Sequence, residues 1–417
     1  MPGPLQLEVL AVFLMVYALI VVRRVGRFKV EVWMAMLLGA IALLSIGAVG
    51  LKEAFSAINM DVLLFLFGMF VVVEVMTQTG LLQFLAITFI RMARTSSRLL
   101  LIMIVFVSVA SAFLLNDAVV LVMTPIVVAA CTIAKVRKTP YLLAVALSSN
   151  IGSALTPIGN PQNVLIKIES GINVLYFVGR MLVPVVLGVV AEYLILRTIY
   201  RRDMNRTFDG EMPEPSSMLT NRAGAKMVGV ITAGIILGFI TSDLTGWTIA
   251  LTAAIGGTAA LLVSTDRRQV VRGIDWGTLL FFASMFVVMD TVERSGLLQG
   301  IIAPFGSTLF APGPTSVLSI FGLSIVLSQI TSNVPFVAIM LPVFRTAGAS
   351  SAQWLALAAG STLAGNCTLL GAAANIIVLE AAESRGESFS FTEFLKAGLP
   401  TALVTSAMAV AFLSMVG

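Results

Sequence analysis

The polar segment SSNIGSALTPIGNPQN at 148–163 carries the residues best suited to chemistry in this chain. It lies between apolar stretches long enough for a membrane, yet its prolines, glycines and asparagines make a continuous helix unfavourable. Backbone N–H and C=O groups freed in hydrocarbon cost several kcal/mol each unless protein or a water-filled cavity satisfies them. The segment therefore predicts a broken helix that forms a binding site for a solute or an ion.

The other half of the chain repeats this pattern. TLLGAAAN at 368–375 overlays TPIGNPQN at 156–163, so the motif TxxGxxxN occurs twice. Just before it, Asn150 matches Asn366 at an offset of 216 residues, with a four-residue gap between this match and the motif. A single polar break can be a helix kink in which Ser or Thr side chains bond only their own backbone. A duplicated break favours a pair of ligand or ion sites.

Two more polar centres interrupt long apolar stretches. Asn116 and Asp117 interrupt the stretch at 99–134, and Ser332-Asn333 interrupts its counterpart in the second half. Each stretch is too long for one crossing, since about 20 residues span the hydrocarbon. Two interpretations remain open, namely two ordinary spans with a tight turn, or a re-entrant hairpin whose polar tip stops near the midplane.

These four centres are rich in amides and hydroxyls and poor in charge, which suits an oxyanion, a neutral hydroxide-type species or a desolvated Na⁺. The chain has no His, which excludes histidine catalysis and histidine metal sites, and no nucleophile–base pair is visible. We therefore expect no enzyme activity, no catalytic residues and no cofactor beyond a coupling Na⁺ or H⁺. The candidate substrate- and ion-binding residues are Asn116, Asp117, Ser149, Asn150, Thr156, Gly159, Asn160, Asn163, Ser332, Asn333, Asn366, Thr368, Gly371 and Asn375.

Three carboxylates are candidates for coupling transport to a cation. Asp117 is the only carboxylate at a polar centre, and a buried Asp costs on the order of 2.5–3.5 kcal/mol on insertion scales, although it could simply cap a helix. Glu74 and Asp290 lie near the ends of their spans, as snorkelling end charges or as gate residues. The candidate Na⁺ ligands are Asn116, Asp117, Asn150 and Asn163.

Composition gives the elements that position these residues. The 417 residues are 58% hydrophobic and 11% charged, with a mean hydropathy of +1.01, which indicates a polytopic helical membrane protein. At an offset of 216 residues, 58–83 overlays 274–299, and both contain MFVV and GLLQ. The predicted fold is all-α, with two inverted repeats, each of five transmembrane helices plus a re-entrant helical hairpin, and broken helices at the midplane. We predict a first repeat at 1–200, a linker at 201–225 and a second repeat at 226–417.

Charge predicts the orientation in the membrane. With five crossings and one hairpin per repeat, 21 of the 26 Lys and Arg residues fall on one side, which is then cytoplasmic. The net charge of +5 is thus a topology signal and needs no nucleic-acid partner. We expect a protein of the cytoplasmic membrane with both termini outside, a cytoplasmic linker at 201–225, and amphipathic connectors at 81–94 and 297–311.

These motifs resemble the ion transporter superfamily, which includes arsenite-efflux permeases, NhaD-type sodium/proton antiporters, silicic-acid exporters, citrate–metal transporters and INDY-like dicarboxylate/sodium symporters. The segment IGNPQN at 158–163 is most similar to the arsenite-permease branch. INDY-like symporters carry Ser-Asn-Thr at their hairpin tips, from which Leu115-Asn116-Asp117 and Ser332-Asn333-Val334 depart. The resemblance implies elevator-type alternating access and often a homodimer. The matching segments are LLNDAVVLVMTPIV (114–127), SSNIGSALTPIGNPQNVLI (148–166), TSNVPFVAIMLPV (331–343) and GNCTLLGAAANIIV (365–378).

The sequence thus predicts a secondary active transporter of a small inorganic anion or its neutral acid, arsenite-like, coupled to H⁺ or Na⁺. The alternatives are a sodium-coupled symporter of di- or tricarboxylates, a Na⁺/H⁺ antiporter and a passive channel. The expected partners are that solute, the lipid bilayer and a second copy of the chain.

If Asp117 binds the coupling cation, Asp117→Asn will abolish gradient-driven uptake in proteoliposomes, because the amide can neither carry a proton nor neutralise a cation. Uptake is measured with and without a pH or Na⁺ gradient. Unchanged gradient-driven uptake in the variant would show that Asp117 has no coupling role.

Overall fold

A computed structural model of the chain describes residues 4–22, 24–25, 28–207, 213–297, 308–311 and 313–416. The described part is almost wholly helical, apart from a two-stranded antiparallel ribbon of two residues per strand, Arg24–Val25 and Phe28–Lys29. Eight of the described helices are long and apolar enough to cross a membrane. The predicted all-α membrane fold is therefore confirmed.

The first half contains ten helices within the described residues. The helices are α1 Pro4–Val22, α2 Val32–Ser45, α3 Leu51–Ala57, α4 Met60–Thr79, α5 Leu81–Ile90, α6 Ser96–Phe113, α7 Asn116–Ile133, α8 Thr139–Ser153, α9 Pro161–Ser170 and α10 Val174–Ile199. The predicted connector at 81–94 is the short helix α5.

The described part of the second half repeats this order, after a short 3₁₀ turn at Pro215–Met218. Most of the predicted connector at 297–311 lies outside the described residues. The helices are α11 Arg222–Ile240, α12 Ser242–Thr245, α13 Ile249–Val263, α14 Arg267–Gly273, α15 Trp276–Arg294, α16 Pro314–Thr331, α17 Asn333–Thr346, α18 Ser351–Ala364, α19 Ala373–Glu383 and α20 Phe391–Val416.

Several helices begin at a side chain that accepts a hydrogen bond from an otherwise unpaired backbone N–H. Asn59 caps α4 through Val62 N at 3.2 Å, and Asn173 caps α10 through Tyr176 N at 3.0 Å. Asp275 caps α15 in the same way. Local sequence therefore sets where the membrane helices start.

The helices pack in exchanged pairs across the two halves. Helix α4 packs on α13 while α2 packs on α15, and α7 packs on α19 while α9 packs on α17. Helix α10 packs on α20, which is its own counterpart. Exchanged partners with one self-paired contact are what a pseudo-twofold axis between two inverted repeats produces.

Two packing groups follow from these contacts. The frame group, residues 4–90 and 222–294, is held by contacts such as α4 on α13. The core group, residues 96–199 and 314–416, is held by contacts such as α6 on α8, α16 on α18 and α10 on α20. The groups meet at smaller contacts, including α5 on α7 and α15 on α17. All four polar centres lie in the core group.

The packing of α4 on α13 in the frame group depends on glycine. A Cβ on Gly68 of α4 would lie 2.2 Å from the carbonyl oxygen of Ala253 on α13, and a Cβ on Gly257 would lie 2.7 Å from the Cα of Gly68. Since both obstacles are backbone atoms, neither can move aside. Small residues at such crossings let membrane helices pack closely.

Replacing Gly68 with Ala should therefore destabilise the protein by about 1–3 kcal/mol, the usual cost of overpacking a tight contact. The measurement is thermal unfolding of the purified protein. Gly234→Ala on α11 is the matched control, because no atom lies within 4 Å of its Cβ position. An equal response of the two variants would contradict the close packing of α4 on α13.

Candidate functional site

The first helix break separates α8, which ends at Ser153, from α9, which begins at Pro161. Proline suits the first position of a helix, and the Asn160 side chain caps it by accepting a hydrogen bond from Asn163 N at 2.9 Å. A Cβ on Gly159 would lie 2.5 Å from the carbonyl oxygen of Ser153. The proline, the cap and the glycine therefore make the break that the sequence predicts.

The second break separates α18, which ends at Ala364, from α19, and contains a 3₁₀ turn at Leu369–Gly371. Here Thr368 donates from its hydroxyl to Gln329 Oε1 at 2.8 Å. A Cβ on Gly371 would lie 2.8 Å from the same oxygen. A Cβ there would also lie 2.9 Å from the carbonyl oxygen of Gly365, a backbone atom, so the unwound segment requires glycine.

The two motif asparagines bridge the breaks in the same way. Asn163 Nδ2 donates to the carbonyls of Ser153 and Thr156, at 3.2 and 3.1 Å. Asn375 Nδ2 donates to the carbonyls ten and seven residues before it, Gly365 and Thr368, at 2.7 and 3.2 Å. These amides thus satisfy backbone oxygens that the unwound chain frees, which is the requirement that hydrocarbon imposes.

The oxygens of these asparagines accept hydrogen bonds from the opposite half. Asn150 Nδ2 donates to Asn375 Oδ1 at 3.1 Å, and the Thr362 hydroxyl donates to Asn163 Oδ1 at 3.4 Å. Each motif asparagine therefore depends on both halves of the chain.

This exchange corrects the predicted equivalence of Asn150 and Asn366. Both the helix starts at 139 and 351 and the bridged carbonyls differ by 212 residues, so the counterpart of Asn150 is Thr362 and that of Asn366 is Ala154. The predicted four-residue gap is wrong, because Asn366, one helical turn after Thr362, is identical to Asn150 only by chance.

Asn150 nevertheless lies at the centre of a buried asparagine cluster. Its Nδ2 also donates to Asn366 Oδ1 at 2.8 Å, and Asn116 Nδ2 lies 3.5 Å from its Oδ1. Asn366 Nδ2 donates to the Leu147 carbonyl at 3.2 Å. The structure thus brings together Asn116, Asn150, Asn366 and Asn375, one polar cluster drawn from both halves.

Each hairpin tip meets the break of its own half. Asn116 N donates to the Gly159 carbonyl at 3.0 Å, and the Thr156 hydroxyl donates to the Ala112 carbonyl. The tip between α6 and α7 therefore lies at the same depth as the break between α8 and α9, as the re-entrant interpretation predicts.

The hairpin tips carry matched polar atoms without partners in the described part of the chain. These atoms are the Oδ1 of Asn116 and of Asn333 and the hydroxyls of Ser111 and Ser328, all buried. Buried polar atoms in proteins nearly always have a partner, so such orphans need an explanation. An acceptor oxygen and a hydroxyl at equivalent places in both halves fit a pair of ligand or cation sites.

The second hairpin tip is also strained. Ser332 has φ +69° and ψ 163°, a region that is essentially reserved for glycine. Such strain costs on the order of 1–3 kcal/mol and clusters at ligand sites.

The predicted site residue Ser149 makes no hydrogen bond to the asparagine cluster. Its hydroxyl donates instead to the Ala146 carbonyl of its own helix at 2.8 Å.

Two cavities open beside the core group and share Asp117 and Asp275 in their linings. One, of about 640 Å³, is also lined by Glu74 and Arg385. The other, of about 350 Å³, reaches Ser332. The second lining adds two further carboxylates, Glu31 and Glu380. Among the described residues that line the two cavities, carboxylates thus outnumber the single arginine.

The three coupling candidates have different surroundings. Asp117 faces both cavities and makes no hydrogen bond or ion pair with any described residue. Glu74 lines the larger cavity and accepts a hydrogen bond from Gln78 at 3.2 Å. Asp290 is in an ion pair with Arg294 at 2.8 Å. Asp117 and Glu74 therefore line the same cavity, and Asp290 does not line it.

The four predicted Na⁺ ligands do not form one set. Asn116 approaches Asn150, but Asn163 is engaged with backbone carbonyls, and Asp117 lines the cavities instead. No cluster of three or more acidic or cysteine side chains suited to a metal occurs in the described residues. The oxygen-only chemistry of the hairpin tips suits Na⁺ rather than a transition metal.

Sequence reasoning missed five residues that shape this region. Ser111 and Ser328 carried a usable signal, because each precedes its tip asparagine by five residues, in SAFLLN and SQITSN. Thr362 and Gln329 carried none, since their partners lie far away in the sequence. Asp275 carried only the local signal of a helix cap.

Comparisons with known proteins agree with this architecture. Residues 17–364 match the model of a family described as citrate transporter, CitMHS. A 46 kDa membrane protein of Mycobacterium leprae is 27% identical over 96% of each chain, and the silicon efflux transporter LSI3 of Oryza sativa subsp. japonica is 27% identical over 90% of each chain. The crystal structure of the Alcanivorax borkumensis YdaH transporter, 16% identical, superposes with a TM-score of 0.62 over 99% of this chain and 98% of that one.

If the motif amides act as donors to freed carbonyls, Asn163→Asp and Asn375→Asp will each destabilise the fold, since a carboxylate cannot donate and repels the carbonyls. Leaving a buried carbonyl unpaired costs about 1–3 kcal/mol. The control is Asn173→Asp, where the side chain only accepts a hydrogen bond at a helix start. Thermal unfolding that is the same for all three variants would contradict the donor role.

Proposed function

Because this chain belongs to the citrate transporter family, we propose that it is a secondary active transporter of a small oxygen-rich solute, coupled to a cation. The chain is an integral membrane transporter and not an enzyme. The predicted resemblance to the ion transporter superfamily, which contains this family, is confirmed.

The matched orphan atoms at the two hairpin tips carry this proposal. The Oδ1 of Asn116 and of Asn333 can each accept a hydrogen bond from an acidic O–H or coordinate Na⁺, and Ser111 and Ser328 each add an unpaired hydroxyl in the first arm of the same hairpin. One site can thus hold the coupling cation and the other the solute. That the coupling cation binds in the first half, with Asp117 among its ligands, stays a prediction.

The solute proposed is a small inorganic anion carried as its neutral acid, of the arsenite or silicic acid kind. Carboxylates predominate along the cavities, so a free multivalent anion meets repulsion there, while a neutral acid does not. The relative LSI3 is a silicon transporter by name. The second candidate is a citrate-like carboxylate, which the family description and Arg385 in the larger cavity favour.

Transport by an elevator-type movement is the mechanism we propose. The polar cluster joins both halves within the core group, and the frame group meets it only at smaller contacts. A movement of one group past the other would carry the site across the membrane without breaking the asparagine cluster.

The remaining assignments belong to the same proposal. They are repeats at 1–200 and 226–417, a cytoplasmic linker at 201–225, both termini outside the cytoplasmic membrane, a homodimer, and Na⁺ or H⁺ as the coupling ion.

Uptake into proteoliposomes tests the proposal, with arsenite, silicic acid and citrate as solutes and an imposed Na⁺ or pH gradient. We expect accumulation of one solute that requires a gradient. Asn116→Ala and Asn333→Ala should each weaken the apparent affinity for solute or cation roughly 10- to 100-fold, the loss of one buried polar contact.

Asn205→Ala, at an exposed position, is the control. Gradient-independent flux with single-channel currents would replace this proposal with a passive channel. Unchanged affinities in both tip variants would show that the orphan atoms are not ligands.

A further inference from the structure

A buried carboxylate lies behind the asparagine cluster and has no role in the function proposed so far. Glu192, in the middle of α10, is 0% exposed. Its Oε1 accepts a hydrogen bond from the Ser148 hydroxyl at 2.8 Å, and its Oε2 has no partner in the described part of the chain. A charged carboxylate with one hydrogen bond in such surroundings would be very costly.

No cation among the described residues forms an ion pair with this group. The helices packed on α10 are α6, α8, α11 and α20, and the parts of three of them at 99–113, 142–153 and 397–416 contain no ionisable side chain. Helix α11 brings only Arg222 and Lys226, both exposed at its start. On α10 itself, the Arg180 guanidinium lies over the Tyr176 ring, 5.0 Å from its centroid, and the Arg197 guanidinium lies over the Tyr193 ring, 5.8 Å from its centroid. Glu192 is thus a carboxyl group that needs a proton.

Helix α8, whose Ser148 hydroxyl donates to Glu192, also carries Asn150 of the asparagine cluster. Ser148 and Asn150 are two residues apart on α8, so they point to nearly opposite faces of the helix. A Cβ on Gly188 would lie 3.1 Å from Ile151 Cγ2 and 3.2 Å from Thr405 Cγ2, so α10 lies directly against α8 and α20. Only the thickness of α8 separates the carboxyl group from the asparagine cluster.

We propose that Glu192 is a proton-binding site whose proton is released when a cation binds at the Asn116–Asn150 side of α8. Release breaks the carboxyl O–H bond, leaves the electron pair on the carboxylate and passes the proton to water. The bound cation then offsets the new negative charge across α8. The inference rests on the proposed coupled transport and adds to it a second titrating group besides Asp117.

Linkage fixes the sign of the effect. If proton and cation exclude each other, each weakens the binding of the other by the same factor. Since rising pH removes the proton, the apparent affinity for Na⁺ should rise with pH, by up to about tenfold per pH unit for one proton released.

Infrared spectroscopy of the purified full-length protein provides the first test, because it needs no ligand. We expect a C=O band of a protonated carboxylic acid that is absent from Glu192→Gln and disappears reversibly as pH rises. Glu8→Gln, at an exposed position, should leave the band unchanged. A band that persists at all pH values, or one that Glu192→Gln does not remove, would overturn the proposal.

Titration with NaCl against choline chloride provides the second test. In the native protein NaCl should lower the intensity of this band, and its half-effect concentration should fall as pH rises. A band that titrates with pH but ignores NaCl would keep the proton site and overturn its link to the cation. Gradient-driven uptake by the native protein is measured separately, so failure of the transport proposal is distinguishable from failure of this one.

Discussion

The need to satisfy freed backbone carbonyls at mid-membrane depth governs this structure. Both broken helices meet it with one asparagine amide that donates ten and seven residues back. That use of the Nδ2 group fixes where each Oδ1 points, and the opposite half then has to supply a donor to it. The arrangement of the site therefore follows from a solvation constraint on the backbone.

The same constraint ties the core group together. Its broken helices and both hairpins are joined to one another by buried hydrogen bonds, whereas the frame group is held by close contacts such as Gly68 on Ala253. The proposed movement of one group past the other depends on this separation, because it would leave the hydrogen bonds of the polar centre intact.

Sequence alone predicted the elements well because their signals are local. Apolar length, the polar interruptions and the TxxGxxxN motif predicted the spans, the hairpins and both breaks. The alignment of Asn150 was wrong, because residue identity favoured Asn366 over the true counterpart Thr362, which lies one helical turn earlier. It could not find the contacts between halves, since Thr362 and Asn163 are 199 residues apart.

The exchanged hydrogen bonds have a consequence for how such a chain can arise. Because each motif asparagine is completed from the other half, an ancestral single repeat would require an oppositely inserted twin to close its own centre. In that twin assembly, both completing positions would carry the same residue. In this chain they are Asn150 and Thr362, an amide and a hydroxyl, so the two motif asparagines no longer have equivalent partners.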